Sequence, residues 1–69
     1  MSDPVYKKLD VVGTSTKSLE DAIENAVRRT ARTVRDLSWF EVTETRGRIV
    51  DGRVSQWQVQ VSIGFSLED

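Results

Sequence analysis

The dipeptide Asp51-Gly52 sits between two long runs, SWFEVTETRGRIV and RVSQWQVQVSIGFSL, in which apolar and polar residues largely alternate. Few short sequences constrain a chain more. A two-residue hairpin loop of type I′ needs positive φ at both central positions, and Asp-Gly adopts them readily. The dipeptide therefore folds the C-terminal half of the chain into an antiparallel hairpin and sets its register. With Val50 opposite Arg53, Phe40 faces Ile63, Val42 faces Val61, Glu44 faces Val59 and Arg46 faces Trp57. These pairs share one face, apolar enough over its far half to receive a helix. The other face carries Trp39, Glu41, Thr43 and Thr45 against Gly64, Ser62, Gln60 and Gln58. Gly47 is the expected place for a β-bulge, which would shift the pairing beyond it.

The N-terminal half supplies the other elements. VYKKLDVV, Val5 to Val12, alternates imperfectly and reads as a first strand, and GTSTKS reads as a turn. Ser18 followed by Asp21 resembles a capping box, with Asp where Glu or Gln is usual. Apolar residues at Leu19, Ala22, Ile23, Ala26, Val27, Ala31, Val34 and Leu37 keep a helical period, so the helix is expected to run from Leu19 to Asp36. Acidic Glu20, Asp21 and Glu24 lie early in it and Arg28, Arg29, Arg32 and Arg35 late, as the helix dipole favours. The arginines read first as a solvated helix face and only second as a phosphate-binding stripe. The element order is β-α-β-β, an α+β fold.

At 69 residues the chain is one domain, residues 1–69. A domain this small buries only about 60% of the surface its unfolded chain exposes. Disulfides, metals or oligomerisation usually compensate. With no Cys and no His, disulfides are excluded, together with the usual zinc sites, thiol catalysis and His-dependent triads. Association with further copies is left as the expected source of stability, and no enzyme is expected. A net charge of -1 gives no field for nucleic acid or an anionic membrane. No apolar run approaches the ~20 residues of a membrane span, and MSDPVYKK lacks the pattern of a leader. A cytoplasmic location is expected.

Trp39 and Phe40 are adjacent in LSWFEV, and neighbours in a strand point to opposite faces. The register sends Phe40 to the core under the helix and Trp39 out of the polar face, opposite Gly64. With one helix for three strands, that second face is bare unless another chain or a ligand covers it. Three readings of Trp39 are open. It fills a subunit interface, it stacks on a planar ligand with help from Gln58, Gln60, Thr43 and Thr45, or it stacks nucleic-acid bases, for which this face lacks basic residues. Gln58 offers an amide donor and acceptor that match a heterocycle edge, although a glutamine on an exposed strand is most often solvated. Trp39 and the Thr45–Gln58 pair lie roughly 20 Å apart at about 3.3 Å per residue. One ligand touching both must draw them from different chains, and a two-fold axis would supply each twice.

VVGTS at Val11 to Ser15, WFEV at Trp39 to Val42, RG at Arg46 and Gly47, VDG at Val50 to Gly52 and QVQVSIGFSLED at Gln58 to Asp69 together resemble the dodecins, small flavin-binding proteins. The resemblance covers nearly the whole chain in order. It implies a βαββ protomer whose three-stranded antiparallel sheet wraps one helix, assembled as a hollow homo-dodecamer. It implies flavin pairs at two-fold axes, each pair sandwiched between symmetry-related tryptophans that donate electrons to the excited ring. Storage, buffering and photoprotective quenching of flavin follow, without turnover. Trp39 matches the stacking tryptophan and Gln58 the glutamine at the isoalloxazine edge. Thr45 lies beside it, and Arg46 matches an arginine suited to an FMN phosphate. A cation–π contact of Arg46 with Trp57 is the competing reading. FMN is the expected ligand, with riboflavin, FAD and coenzyme A also admitted by the resemblance. Ser66 stands where many bacterial relatives have Arg, and Ser62 where they have a basic residue. Trp57 replaces a more usual Tyr or Phe. The first two weaken a coenzyme A contact. The alternative is an oligomeric scaffold, or a shell carrying coenzyme A or another nucleotide, without flavin.

Overall fold

The computed structural model describes residues 3–67, so Glu68 and Asp69, the end of the terminal stretch SLED, lie outside the described residues. Strand β1 (Tyr6–Ser15) leads to helix α1 (Leu19–Thr30), and strands β2 (Leu37–Val50) and β3 (Arg53–Ser66) follow. All pairings are antiparallel, in the order β1-β3-β2, so β3 is central. The hairpin turns as its dipeptide requires, with φ of 52° at Asp51 and 73° at Gly52.

The first strand runs three residues beyond its expected end. Gly13, Thr14 and Ser15 pair with Val59, Gln58 and Trp57, which leaves only a short bend before the helix. Ser18 caps α1 through its Oγ, which accepts from the Asp21 N–H at 3.0 Å. The Asp21 side chain does not complete a reciprocal box. Its carboxylate accepts from Ser15 Oγ at 2.6 Å, and that hydroxyl in turn accepts from the Lys17 N–H at 2.8 Å. The cap thus ties the helix start to the end of β1.

The helix ends at Thr30, not Asp36. Arg32 and Thr33 donate to the carbonyls three residues back, at 3.2 and 3.1 Å, so the last turn tightens and stops. Thr30, Thr33 and Val34 are β-branched, which lowers helix propensity. The Thr30 hydroxyl also bonds back to the Ala26 carbonyl at 2.8 Å. Asp36 takes a left-handed φ of 62° and turns the chain so that Leu37 can pair with Phe65. The apolar period beyond Val27 therefore serves the connection to β2, not a longer helix.

Ala22, Ala26, Val59, Val61 and Ile63 form the buried core, with Val11, Leu19, Ile23, Val27 and Leu37 packed around it. Burying each of the three large β3 side chains is worth about 1.5–3 kcal/mol. The helix sits close because Gly13 lies beneath it. A Cβ there would come within 2.1 Å of the Ala22 carbonyl oxygen and 2.8 Å of the Ala26 Cβ. Two small helix residues and one glycine set the distance between helix and sheet.

The helix packs mainly on β1 and β3, and β2 contributes Leu37 at the edge of the core. Phe40 does face Ile63 on the helix side, but it is 47% exposed and does not enter the core. Val42 is likewise exposed, and at the hairpin tip so are Val50, Val54 and Ile49, the last 72% exposed. Because β1 pairs only with the Trp57–Ser66 half of β3, the tip projects as a two-stranded arm. The chain extends 56 × 20 × 13 Å with a radius of gyration of 14.3 Å, against about 11 Å for a compact chain of this length.

The register follows expectation at both ends and departs from it in the middle. Val50↔Arg53, Val42↔Val61, Phe40↔Ile63 and Trp39↔Gly64 are present, but a bulge between Val42 and Glu44 moves Glu44 opposite Gln60, and the register returns at a second bulge between Arg48 and Ile49. Between the two bulges the β2 side chains change face while those of β3 keep theirs, as a one-residue slip of β2 requires. Arg46 pairs with Gln58 instead of Trp57, Thr45 pairs with Val59 instead of Gln58, and Gly47, expected to bulge, pairs with Trp57.

Candidate functional site

The face away from the helix is built in rows across the three strands. Lys8, Gly64 and Trp39 form one row, followed by Asp10, Ser62 and Glu41, then Val12, Gln60 and Glu44, then Thr14, Gln58 and Arg46. The bulge after Val42 brings Arg46 onto this face beside Gln58. It also sends Thr45 to the opposite side, where it lines a concavity of about 220 Å³ with Leu19, Ile49, Val54 and Trp57. The competing reading, an Arg46–Trp57 contact, fails for the same reason, since the two side chains lie on opposite faces. Among the described residues, the cation near a tryptophan is Lys8, with Nζ 6.0 Å from the Trp39 ring centroid, at the outer reach of a cation–π contact.

Trp39 is held on several sides. A Cβ placed on Gly64 would lie 2.3, 2.4 and 2.7 Å from three adjacent indole carbons, Cε2, Cζ2 and Cδ2. Such similar distances to fused-ring atoms mean that the ring lies face-on over the Gly64 backbone. Tyr6 meets the indole at 6.0 Å between centroids with 63° between planes, the edge-to-face geometry aromatic pairs prefer. Beyond Lys8 stands Glu41, whose Oε1 accepts from Lys8 Nζ at 2.6 Å. The hydrogen bond and charge of Glu41 raise the Lys8 pKa above its usual 10.5, Asp10 adds a smaller push, and desolvation opposes them. One face of the indole is thus sealed against backbone and its edge is braced, while the side chain stays 40% exposed.

Further along, Gln58 Nε2 donates to Gln56 Oε1 at 2.8 Å. Arg46 donates to the Glu44 carboxylate and to Gln60 Oε1, the latter at 3.3 Å. Ser62 Oγ donates to Asp10 Oδ1, so this hydroxyl is engaged within its own protomer. Six residues separate Gly64 from Gln58 along β3, roughly 20 Å at about 3.3 Å per residue. Trp39 and Gln58 therefore do not converge within one protomer. Sequence reasoning missed Tyr6, Lys8 and Asp10, because the β1–β3 register depends on a crossover that no local turn fixes. It placed Glu44 on the wrong face because nothing in the residues around Thr43 announces a bulge.

The described residues contain no cluster of three or more acidic side chains suited to a metal ion, and no helix long and apolar enough to cross a membrane. A central strand, a single covering helix and a sheet face bearing one braced, half-open tryptophan give a βαββ protomer with a candidate binding face. Comparison with known proteins narrows this class. The Dodecin family model matches residues 5–68. The chain is 49% identical over 65 residues to the dodecin of Thermus thermophilus, covering 94% of each. The solved dodecin of Streptomyces coelicolor superposes with a TM-score of 0.94 at 49% identity, over 100% of this chain and 99% of that one. The Streptomyces davaonensis dodecin gives 0.94 at 41% identity, over 99% of this chain and 100% of that one. The chain belongs to the dodecin family, known as small flavin-binding proteins.

Proposed function

We propose that this protein is a non-enzymatic flavin binder that stores or buffers FMN or riboflavin and quenches its photochemistry. Trp39 carries this reading, because it is pressed face-on against Gly64 with its other face available. The indole is already oriented before anything binds, which lowers the ordering cost of stacking a planar ring on it. The rest of the face fits the same ligand. Gln58 presents an amide donor and acceptor for a heterocycle edge, and Arg46 presents a guanidinium for a phosphate. A bound flavin supplies a planar ring whose excited state accepts an electron. Trp39 would stack on that ring and supply the electron, and Gln58 would hold the ring edge through its amide. Thr45 points to the helix side and takes no part in this proposal.

The distance between Trp39 and Gln58 makes the site a shared one, closed by further copies of the chain around a two-fold axis. The exposed helix-side residues of β2 and the projecting arm support assembly into the homo-dodecamer that the family resemblance implies. Replacing Trp39 with Ala tests the reading. Flavin should bind more weakly and recover its fluorescence, while size-exclusion chromatography shows the assembly intact. A variant that falls apart without any change in flavin binding would make Trp39 an interface residue of a scaffold instead.

A further inference from the structure

We propose that Glu44 sets how this face discriminates between phosphorylated and unphosphorylated flavins, by holding the Arg46 guanidinium that a phosphate would need. The inference rests on the flavin reading above and adds a determinant of ligand choice to it.

The bulge after Val42 places Glu44 on the face of Trp39 and Gln58, in the row next to Arg46. Without the bulge Glu44 would face Val59 and the helix. In the structure Arg46 Nη2 donates to the Glu44 carboxylate, and the same nitrogen donates to Gln60 Oε1 at 3.3 Å. The Arg46 charge is thereby matched within its own strand. Side-chain exposures of 40% for Arg46 and 62% for Glu44 keep the pair within reach of a ligand arriving from outside.

A phosphate carrying about two negative charges meets a guanidinium whose Nη2 is already held by Glu44 and Gln60, and it must either displace Glu44 or bind the remaining N–H groups next to it. It then lies beside a carboxylate of like charge. A flavin without phosphate makes no demand on Arg46 and meets neither cost. Glu44 therefore lowers affinity for FMN selectively, acting through Arg46 as a positioning residue. Exposed ion pairs of this kind shift an equilibrium by about two- to five-fold.

The test is a fluorescence titration of FMN and, separately, riboflavin into ligand-free wild-type protein and the Glu44→Gln variant. Glutamine keeps the size and a hydrogen-bond acceptor but removes the charge. The ratio of FMN to riboflavin affinity should rise about two- to five-fold, with FMN carrying the change. A change that loosened only the fold or the assembly would move both flavins together. An unchanged or lower ratio, with both flavins bound, overturns the role of Glu44 and leaves the flavin reading standing. A wild-type protein that quenches neither flavin overturns the flavin reading, and this proposal with it.

Discussion

Trp39 owes its orientation to the residue opposite it. Gly64 has no side chain, and a Cβ there would reach 2.3 Å from the indole Cε2. Gly64→Ala should therefore lift the ring while leaving the strand extended. A stacked ring contributes about 0.5–1.5 kcal/mol from each side, so flavin affinity should fall by about an order of magnitude at a two-ring site. Fluorescence titration of that variant measures the fall, and unchanged quenching would show that the seat is not needed. The pairing of Trp39 with Gly64 was legible in the sequence, because Asp51-Gly52 sets the register and no net slip accumulates by Trp39. The brace formed by Tyr6 and Lys8 was not legible, since nothing local fixes β1 against β3. The Lys8–Glu41 pair also carries a pH signature. Glu41 raises Lys8 above its usual 10.5, so the stabilisation is fully present below that value and is lost as pH rises through the higher folded value. The melting-temperature difference between wild type and Lys8→Met should stay level from neutral pH to about 10 and vanish in stronger alkali. A difference that disappears near neutrality would contradict this assignment.

At the scale of elements, α1 packs close on β1 at Gly13. Gly13→Ala would drive a Cβ against the Ala22 carbonyl oxygen, a backbone atom that no rotamer change can move. Overpacking of this kind costs about 1–3 kcal/mol. Thermal or denaturant unfolding should show a loss in that range, and a neutral effect would mean that the helix rides more loosely. The hairpin, the helix start at Ser18 and the order β-α-β-β follow from local signals: a turn dipeptide, a capping serine and a change of apolar period. The helix end and the strand slip do not. Thr30 to Asp36 keeps a helical apolar period, yet the chain there must turn to bring Leu37 to Phe65, and tertiary demand prevails over pattern. The bulge after Val42 likewise exchanges the faces of Thr45 and Arg46. That correction removes Thr45 from the candidate face and brings Arg46 onto it.

For the whole molecule, shape is decisive. A radius of gyration of 14.3 Å, against about 11 Å for a compact chain, leaves the helix side of β2 and the hairpin arm without partners in the protomer. Phe40 was expected in the core and is instead 47% exposed, a residue whose burial the protomer alone does not provide. Phe40→Asp should leave the helix and sheet formed but reduce the assembly to smaller species on size-exclusion chromatography. An unaltered elution volume would place the interface elsewhere. The sequence led to the expectation that copies associate, from the small size of the domain and its lack of Cys and His. How copies arrange themselves around the Trp39 face is a property of the proposed assembly, and local patterning does not encode it. The most direct test of the flavin reading is a fluorescence titration of FMN and of riboflavin against refolded, ligand-free wild-type protein. Strong quenching that saturates near one flavin per chain is the expected result. Undiminished flavin fluorescence in the presence of an intact oligomer would contradict it.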